Sequence, residues 1–183
     1  MLFIQGAGEG AYAEDAALAA SLRRELGPEY VVRYPQMPNE ADPDDASWAD
    51  RIETELAEMG EDAIVVGHSA GAVTLCLFLA KRRVAQRIRG VFLIGAPFFG
   101  EGGWQVEGFV MPMDFASRFP DAPVYLYHGT DDETAPIAHL DLYAAAIPHA
   151  VVRRLDGRNH QLNDDLAVVA ADIRGLGSLP GTR

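Results

Sequence analysis

Ala63-Ile64-Val65-Val66-Gly67-His68-Ser69-Ala70-Gly71, continued by the apolar run Ala72 to Arg82, is the stretch that decides the fold. Ala63 to Val66 has no polar alternation, which predicts a strand buried on both faces, as in a parallel sheet. Ala72 to Arg82 is too long for one strand and reads as an apolar helix. Working outward from this strand-turn-helix unit, short apolar runs alternate with Ala/Leu-rich helical patterns. Upstream, Leu2-Phe3-Ile4 enters the glycine-rich turn Gln5 to Gly10. A helix follows from about Glu14 to Leu26, with Ala17, Leu18, Leu22 and Leu26 on one stripe and Gly27-Pro28 as its stop. Tyr30 to Tyr34 reads as a second strand, and Asn39 to Ala46 as a polar loop. Ser47 can cap a helix through about Met59 on which Trp48, Ile52 and Leu56 share a face. Downstream, strands are expected at Val91–Ile94, Val124–Tyr127 and Ala150–Leu155, and a last helix over about Leu162 to Arg174. The pattern predicts one α/β domain over residues 1–174, with a mostly parallel six-stranded sheet, helices on both faces, and a flexible tail over 175–183. The one long irregular stretch, Gly95 to Pro123, carries Phe98, Phe99, Trp104, Phe109, Met111, Met113 and Phe115. Residues 97–120 are expected to form a lid or pocket wall, or to fill core beneath an irregular segment.

Bulk composition narrows the partners. The 183 residues are 49% hydrophobic and 23% charged, ordinary globular usage. A net charge of −12 repels phosphate backbones and anionic lipid, so neither nucleic acid nor a membrane surface is an expected partner. The lone Cys76 cannot form an internal disulfide, no Cys/His cluster has zinc spacing, and no apolar run approaches the roughly 20 residues that span a bilayer. Met1 to Ile4 lacks the basic and small-residue features of a signal peptide. The expectation is a cytoplasmic protein without metal or cofactor. Lys81-Arg82-Arg83, Arg87 and Arg89 read as cations decorating a helix C-terminus, and Glu40 to Asp45 as solvated surface.

Gly67-His68-Ser69-Ala70-Gly71 has chemical content because of where it stands. A serine on a sharp strand-to-helix turn has strained dihedrals and a hydroxyl thrust above the sheet, and flanking glycines let strand and helix approach. The bland alternative is a glycine-rich turn with a solvated serine. A serine hydroxyl is a weak nucleophile and needs a base, itself oriented by an acid, and both should follow C-terminal strand ends later in the chain. Of five histidines, His160 alone is placed as such a base, after the last strand. His68 lies inside the turn, His128 ends a strand, and His139 and His149 suit surface roles. For the acid, Asp131, Asp132 and Glu133 compete; Asp132 stands four before Pro136, while counting from Gly129 keeps Asp131 as a rival. Acyl transfer also needs N–H donors for an oxyanion. The residue after the serine, Ala70, supplies one, and Ala7 in the first glycine-rich loop is the candidate for the other. Phe98, Trp104, Phe109 and Met111 are the candidate substrate pocket.

These residues resemble the small α/β-hydrolases of the retinoblastoma-binding-protein and YdeN type, over nearly the whole chain. The resemblance runs from the first glycine-rich loop through Met37-Pro38, Ser47-Trp48 and Gly67 to Gly71. It continues through Thr130-Asp131-Asp132 with Pro136 and ends at His160-Gln161-x-Asn163. It implies a compact α/β-hydrolase fold and a triad of Ser69, Asp132 and His160. Three departures stand out: Asn159-His160 replaces the family's Gly-His, Gly129-Thr130-Asp131 is one residue tighter, and Phe98 to Ser117 aligns poorly with the family. The expected activity is cleavage of a small ester-type acyl substrate through an acyl-enzyme. A thioesterase, lactonase or amidase with the same triad, and a non-catalytic module that binds a protein partner, are the alternatives.

Overall fold

Each short apolar run becomes a strand because its side chains find cover on both sides. In the computed structural model, which describes residues 1–106, 109, 111–112 and 114–178, five strands form one fully parallel sheet in chain order. They are β1 (Leu2–Ile4), β2 (Asp62–His68), β3 (Arg87–Ile94), β4 (Val124–Gly129) and β5 (Val151–Leu155). The strand period sorts the core into two layers. Leu2, Ile4, Val65, Val91, Leu93 and Leu126 face one side. They pack with α2 (Asp45–Ala57), α3 (Ala70–Lys81) and α4 (Ala138–Ala146). Phe3, Val66, Phe92, Ile94 and Tyr127 face the other side and meet α1 (Ala11–Leu26) and α5 (Ala167–Gly175). Helix α3 is buried on every side from Gly71 to Ala80. It has no polar face because α2, the sheet and a short 3-10 turn at Phe115–Arg118 surround it. At about 1.5–3 kcal/mol for each fully buried large apolar side chain, its Leu75, Leu77 and Phe78 are a substantial part of the stability.

The sheet has five strands and not the expected six. Tyr30 to Tyr34 lies beside β1 but makes only one bridge, Leu2 to Arg33. Arg33 N donates to Met1 O at 3.0 Å and Phe3 N donates to Arg33 O at 2.9 Å. Gly27-Pro28 before the segment and Pro35 after it leave too few residues for a ladder, and Val31 is 74% exposed. With that segment outside β1 and β2 inside it, the chain reverses its winding direction at β1. The crevice beside β1 and β2 is thus the switch point at which α/β sheets bind ligands.

One further expectation changes. The last helix begins at Ala167 and not at Leu162, because Leu162, Asn163 and Asp164 all have left-handed backbone, with φ of 49, 55 and 55°. The expected flexible tail spans 175–183. Leu176 is 6% exposed and packs with the α1/α5 layer, while residues 179–183 lie outside the described residues. Among the described residues no helix is long and apolar enough to cross a membrane, and no cluster of three or more His, Cys, Asp or Glu side chains is arranged to hold a metal ion.

Candidate active site

Ser69 stands between β2 and α3 with φ 52° and ψ −124°, a backbone state costly for any residue but glycine. The flanking glycines make that turn possible by closeness. A Cβ on Gly67 would lie 2.6 Å from Ala72 Cα, and one on Gly71 would lie 2.2 Å from Gln5 O. Ser69 N donates to Ile94 O at 2.8 Å, which fastens the turn to β3. Ala70 opens α3, at a position whose N–H has no partner within the helix and where the helix dipole favours negative charge. Across the switch point, the loop after β1 comes close enough that a Cβ on Gly6 would sit 3.2 Å from Ser69 Cβ. Gly6 N is bound by Asp15 Oδ2 at 2.7 Å and Gly8 N by Glu40 O at 2.7 Å. Between them, the Ala7 N–H has no partner among the described residues.

His160 follows β5 and is 7% exposed. Its Nδ1 is 2.8 Å from Asp132 Oδ2. Asp131 instead lies exposed, its Oδ1 accepting from Thr130 Oγ1 at 3.1 Å. Asp132 reaches inward because the turn after β4 is pinned to the loop after β5: Thr130 N donates to Leu155 O and Asp131 N to Arg158 O, each at 3.0 Å. Gly129 is needed there, since a Cβ would lie 2.0 Å from Arg158 O. The Asp132 side chain is fully buried. Burial alone would raise its pKa, but hydrogen bonds from His128, His160 and the Ala135 N–H outweigh burial and hold it well below 3.8. Its Oδ1 accepts from Thr134 N and Ala135 N, both at 2.8 Å. His128 Nε2 lies 3.1 Å from Oδ2 and 2.8 Å from Ala135 O. Both neighbours of that nitrogen are acceptors, so it carries the proton. His160 Nδ1 likewise faces a carboxylate and donates to it, leaving Nε2 as the proton acceptor of the neutral ring. Ser69 Oγ has no hydrogen bond among the described residues.

The pocket candidates divide. Phe98 and Met111 line a cavity of about 150 Å³ together with Gly100, Pro112, Phe115 and Ala146. Phe115 is 1% exposed and packs edge-on against Phe98, Phe119 and Tyr143, so part of the aromatic segment is core. Trp104 and Phe109 are not in that cavity. Both rings pack on Phe99, and Trp104 is 40% exposed. Residues 107, 108, 110 and 113 of the expected lid lie outside the described residues. A wide surface hollow of about 1240 Å³ lies between Met59 and Arg87, at the start of β2 and β3 and therefore at the opposite sheet edge from Ser69.

Sequence reasoning missed four residues here. His139 is buried and not at the surface; its Nδ1 accepts from Phe98 N at 3.1 Å and its ring meets Trp104 edge-on. Burial, with the nearby His128, lowers its pKa, in keeping with a neutral ring that accepts at Nδ1. Glu40 is not merely solvated, because its carboxylate accepts from Gln5 Nε2 at 2.5 Å and Tyr12 N at 2.8 Å and so braces the loop around Ala7. Asp15 and His68 form a buried pair, 2.7 Å apart. The signal for Asp15 was its place on the apolar stripe of α1, where Ala11, Asp15, Leu18, Leu22 and Leu26 are all buried.

The fold is that of the α/β-hydrolases. A meta-cleavage product hydrolase from Pseudomonas fluorescens is similar with a TM-score of 0.73 at 15% identity, over 97% of this chain and 89% of that one. An α/β-superfamily hydrolase from Xanthomonas campestris pv. campestris has a TM-score of 0.61 at 18% identity, over 97% and 96%. A YdeN-like hydrolase from Pectobacterium atrosepticum has a TM-score of 0.61 at 17% identity, over 98% and 87%. No curated protein sequence matches the chain. The family model described as serine hydrolase matches residues 18–160, a span that holds Ser69, Asp132 and His160, and the chain belongs to that family.

Proposed function

We propose that this serine hydrolase cleaves small, uncharged esters through an acyl-enzyme. Ser69 Oγ attacks the acyl carbon while His160 Nε2 takes its proton. Asp132 holds His160 in the tautomer that can accept and stabilises the imidazolium that forms. The N–H groups of Ala70 and Ala7 receive the oxyanion. His160 then returns the proton to the leaving alkoxide, and water repeats the cycle to free the acid. The observation that carries this reading is the Asp132–His160 pair, 2.8 Å apart, at the same sheet edge as a serine held at φ 52°. The apolar cavity by Phe98 and Met111, about 150 Å³, is offered as a side pocket for a small acyl chain. An acidic surface disfavours anionic esters.

The test is labelling with a fluorophosphonate, followed by turnover of p-nitrophenyl acetate beside a matched thioester, lactone and amide. Wild type labels and hydrolyses the ester fastest, and Ser69→Ala does neither. Equal labelling of Ser69→Ala overturns the reading, and an inert wild type points to a module that binds without turnover.

A further inference from the structure

The Asp15–His68 pair has no part in the proton transfers above, yet it bridges the loop after β1, the end of β2 beside Ser69 and the backbone of His160. His68 Nδ1 is 2.7 Å from Asp15 Oδ2, and its Nε2 is 3.1 Å from the backbone oxygen of His160. The same Asp15 Oδ2 accepts from Gly6 N at 2.7 Å. Both side chains are sealed, at 1% and 2% exposure. The rings of His68 and His160 lie 4.8 Å apart between centroids.

We propose that Asp15 and His68 are positioning residues of the hydrolytic site, a buried ion pair whose hydrogen bonds fix the His160 backbone and the Gly6–Ala7 turn relative to Ser69. This rests on the acyl-transfer reading above. The proton count comes from the partners. The His160 carbonyl can only accept, so Nε2 donates to it, and Asp15 Oδ2 already accepts from Gly6 N, which favours the carboxylate and a proton on Nδ1. Both ring nitrogens therefore carry protons, and the pair is imidazolium and carboxylate. Burial opposes the charge on His68, but its contacts with Asp15 and the His160 carbonyl outweigh burial and raise its pKa; Asp15 is correspondingly lowered. The other charged or titratable groups acting on the pair are Asp132, His160 and Tyr34, whose hydroxyl pKa is raised by burial and by Asp15.

Stability alone is a poor reason for such a pair, since well-packed apolar side chains commonly serve as well in its place. Directional bonds to separate loops are what apolar side chains cannot supply. Asp132 holds His160 by the ring, and His68 holds it by the backbone, so together they leave the imidazole little freedom to drift from Ser69. The pair also keeps its own charge balanced. A lone imidazolium 4.8 Å from His160 would oppose the positive charge that the base acquires in turnover.

Two substitutions separate the bonds. In His68→Gln the terminal amide matches the Nε2 position and can still donate to His160 O. In His68→Asn the amide matches Nδ1 and reaches only Asp15. For p-nitrophenyl acetate, His68→Asn should lose about 100-fold in kcat with KM within about threefold of wild type, and His68→Gln should recover at least about tenfold of that loss. A kcat for His68→Asn within about threefold of wild type, or no recovery in His68→Gln, overturns the proposal. Because either variant can fail to fold, nitrogen-15 NMR of the wild-type imidazoles at pH 7 gives an independent test. Two protonated ring nitrogens on His68 support the ion pair, and one bare nitrogen overturns it. An active wild type with an indifferent His68→Asn defeats this inference alone. A wild type that neither labels nor hydrolyses defeats the hydrolytic reading, and the NMR result still decides the ion pair.

Discussion

Asp132 receives hydrogen bonds from His160, His128, Thr134 N and Ala135 N, and every one of them favours the ionised carboxylate. An amide in its place has one acceptor atom, so at least one nitrogen would face an N–H group and His160 would lose its tautomer. Asp132→Asn is expected to fold and to lose about 10⁴-fold in kcat, the scale known from the equivalent change in another Ser-His-Asp enzyme; steady-state turnover of p-nitrophenyl acetate checks it. Gly71→Ala tests a different residue-scale constraint. Its Cβ would meet Gln5 O at 2.2 Å and Ile4 O at 2.7 Å, backbone atoms that cannot swing aside. Urea unfolding should show a loss at or above the ~1–3 kcal/mol typical of overpacking. Residues of this kind were legible in the sequence where geometry ties them to chain position, as it does for Ser69, Gly71 and His160. Asp15 left only a weak signal, its place on the apolar stripe of α1, because an acid near a helix start already has an ordinary explanation in the helix dipole. Its partner, His68, lies 53 residues away.

At the scale of elements, β2, the Ser69 turn and α3 were legible because an apolar run without alternation, a glycine-flanked turn and a long apolar helix each have one physical solution. The stretch after His160 had two. Leu162 to Asp164 is polar enough to start a helix, and local pattern says nothing of handedness. The structure turns these residues left-handed and stabilises the turn by reciprocal bonds: Asn159 N to Asn163 Oδ1 at 3.0 Å and Asn163 N to Asn159 Oδ1 at 2.8 Å. Arg158 adds bonds to Leu162 O at 3.1 Å and Asp165 Oδ2 at 2.8 Å. Left-handed backbone costs roughly 1–2 kcal/mol at an ordinary residue and little at glycine. Asn163→Ala loses both the side-chain bonds and the tolerance for φ 55°. Asn163→Gly loses only the bonds. The alanine variant should therefore be less stable than the glycine variant by about 1 kcal/mol in urea titrations. Equal losses would mean that the Asn163 side-chain bonds to Asn159 N and Gly157 O, and not the backbone, account for the cost.

The whole molecule carries a net charge of −12 and buries two carboxylates, Asp15 and Asp132, at the heart of its site. Burial pushes both pKa values upward, but hydrogen bonds from His68 to Asp15, and from His128 and His160 to Asp132, leave both below 3.8. A carboxyl depressed in the folded state contributes stability that is fully present above its unfolded pKa and lost as pH falls through its folded value. The window therefore opens below 3.8. Acid also protonates the exposed carboxylates and turns the net charge positive, so a simple acid melt would not isolate either group. The difference between wild type and Asp132→Asn does isolate one, because the surface charges are common to both proteins. At neutral pH the variant lacks the ionised acceptor, and wild type should be the more stable in urea unfolding. As pH falls below 3.8, the unfolded chain takes up the proton first, and the gap should narrow steadily, closing only as pH reaches the depressed folded value. A gap unchanged between pH 7 and pH 3 would mean that the substitution acts through shape and not through charge. The carboxylate would then owe its place in the fold to packing, and its depressed pKa would lose its role in holding the base.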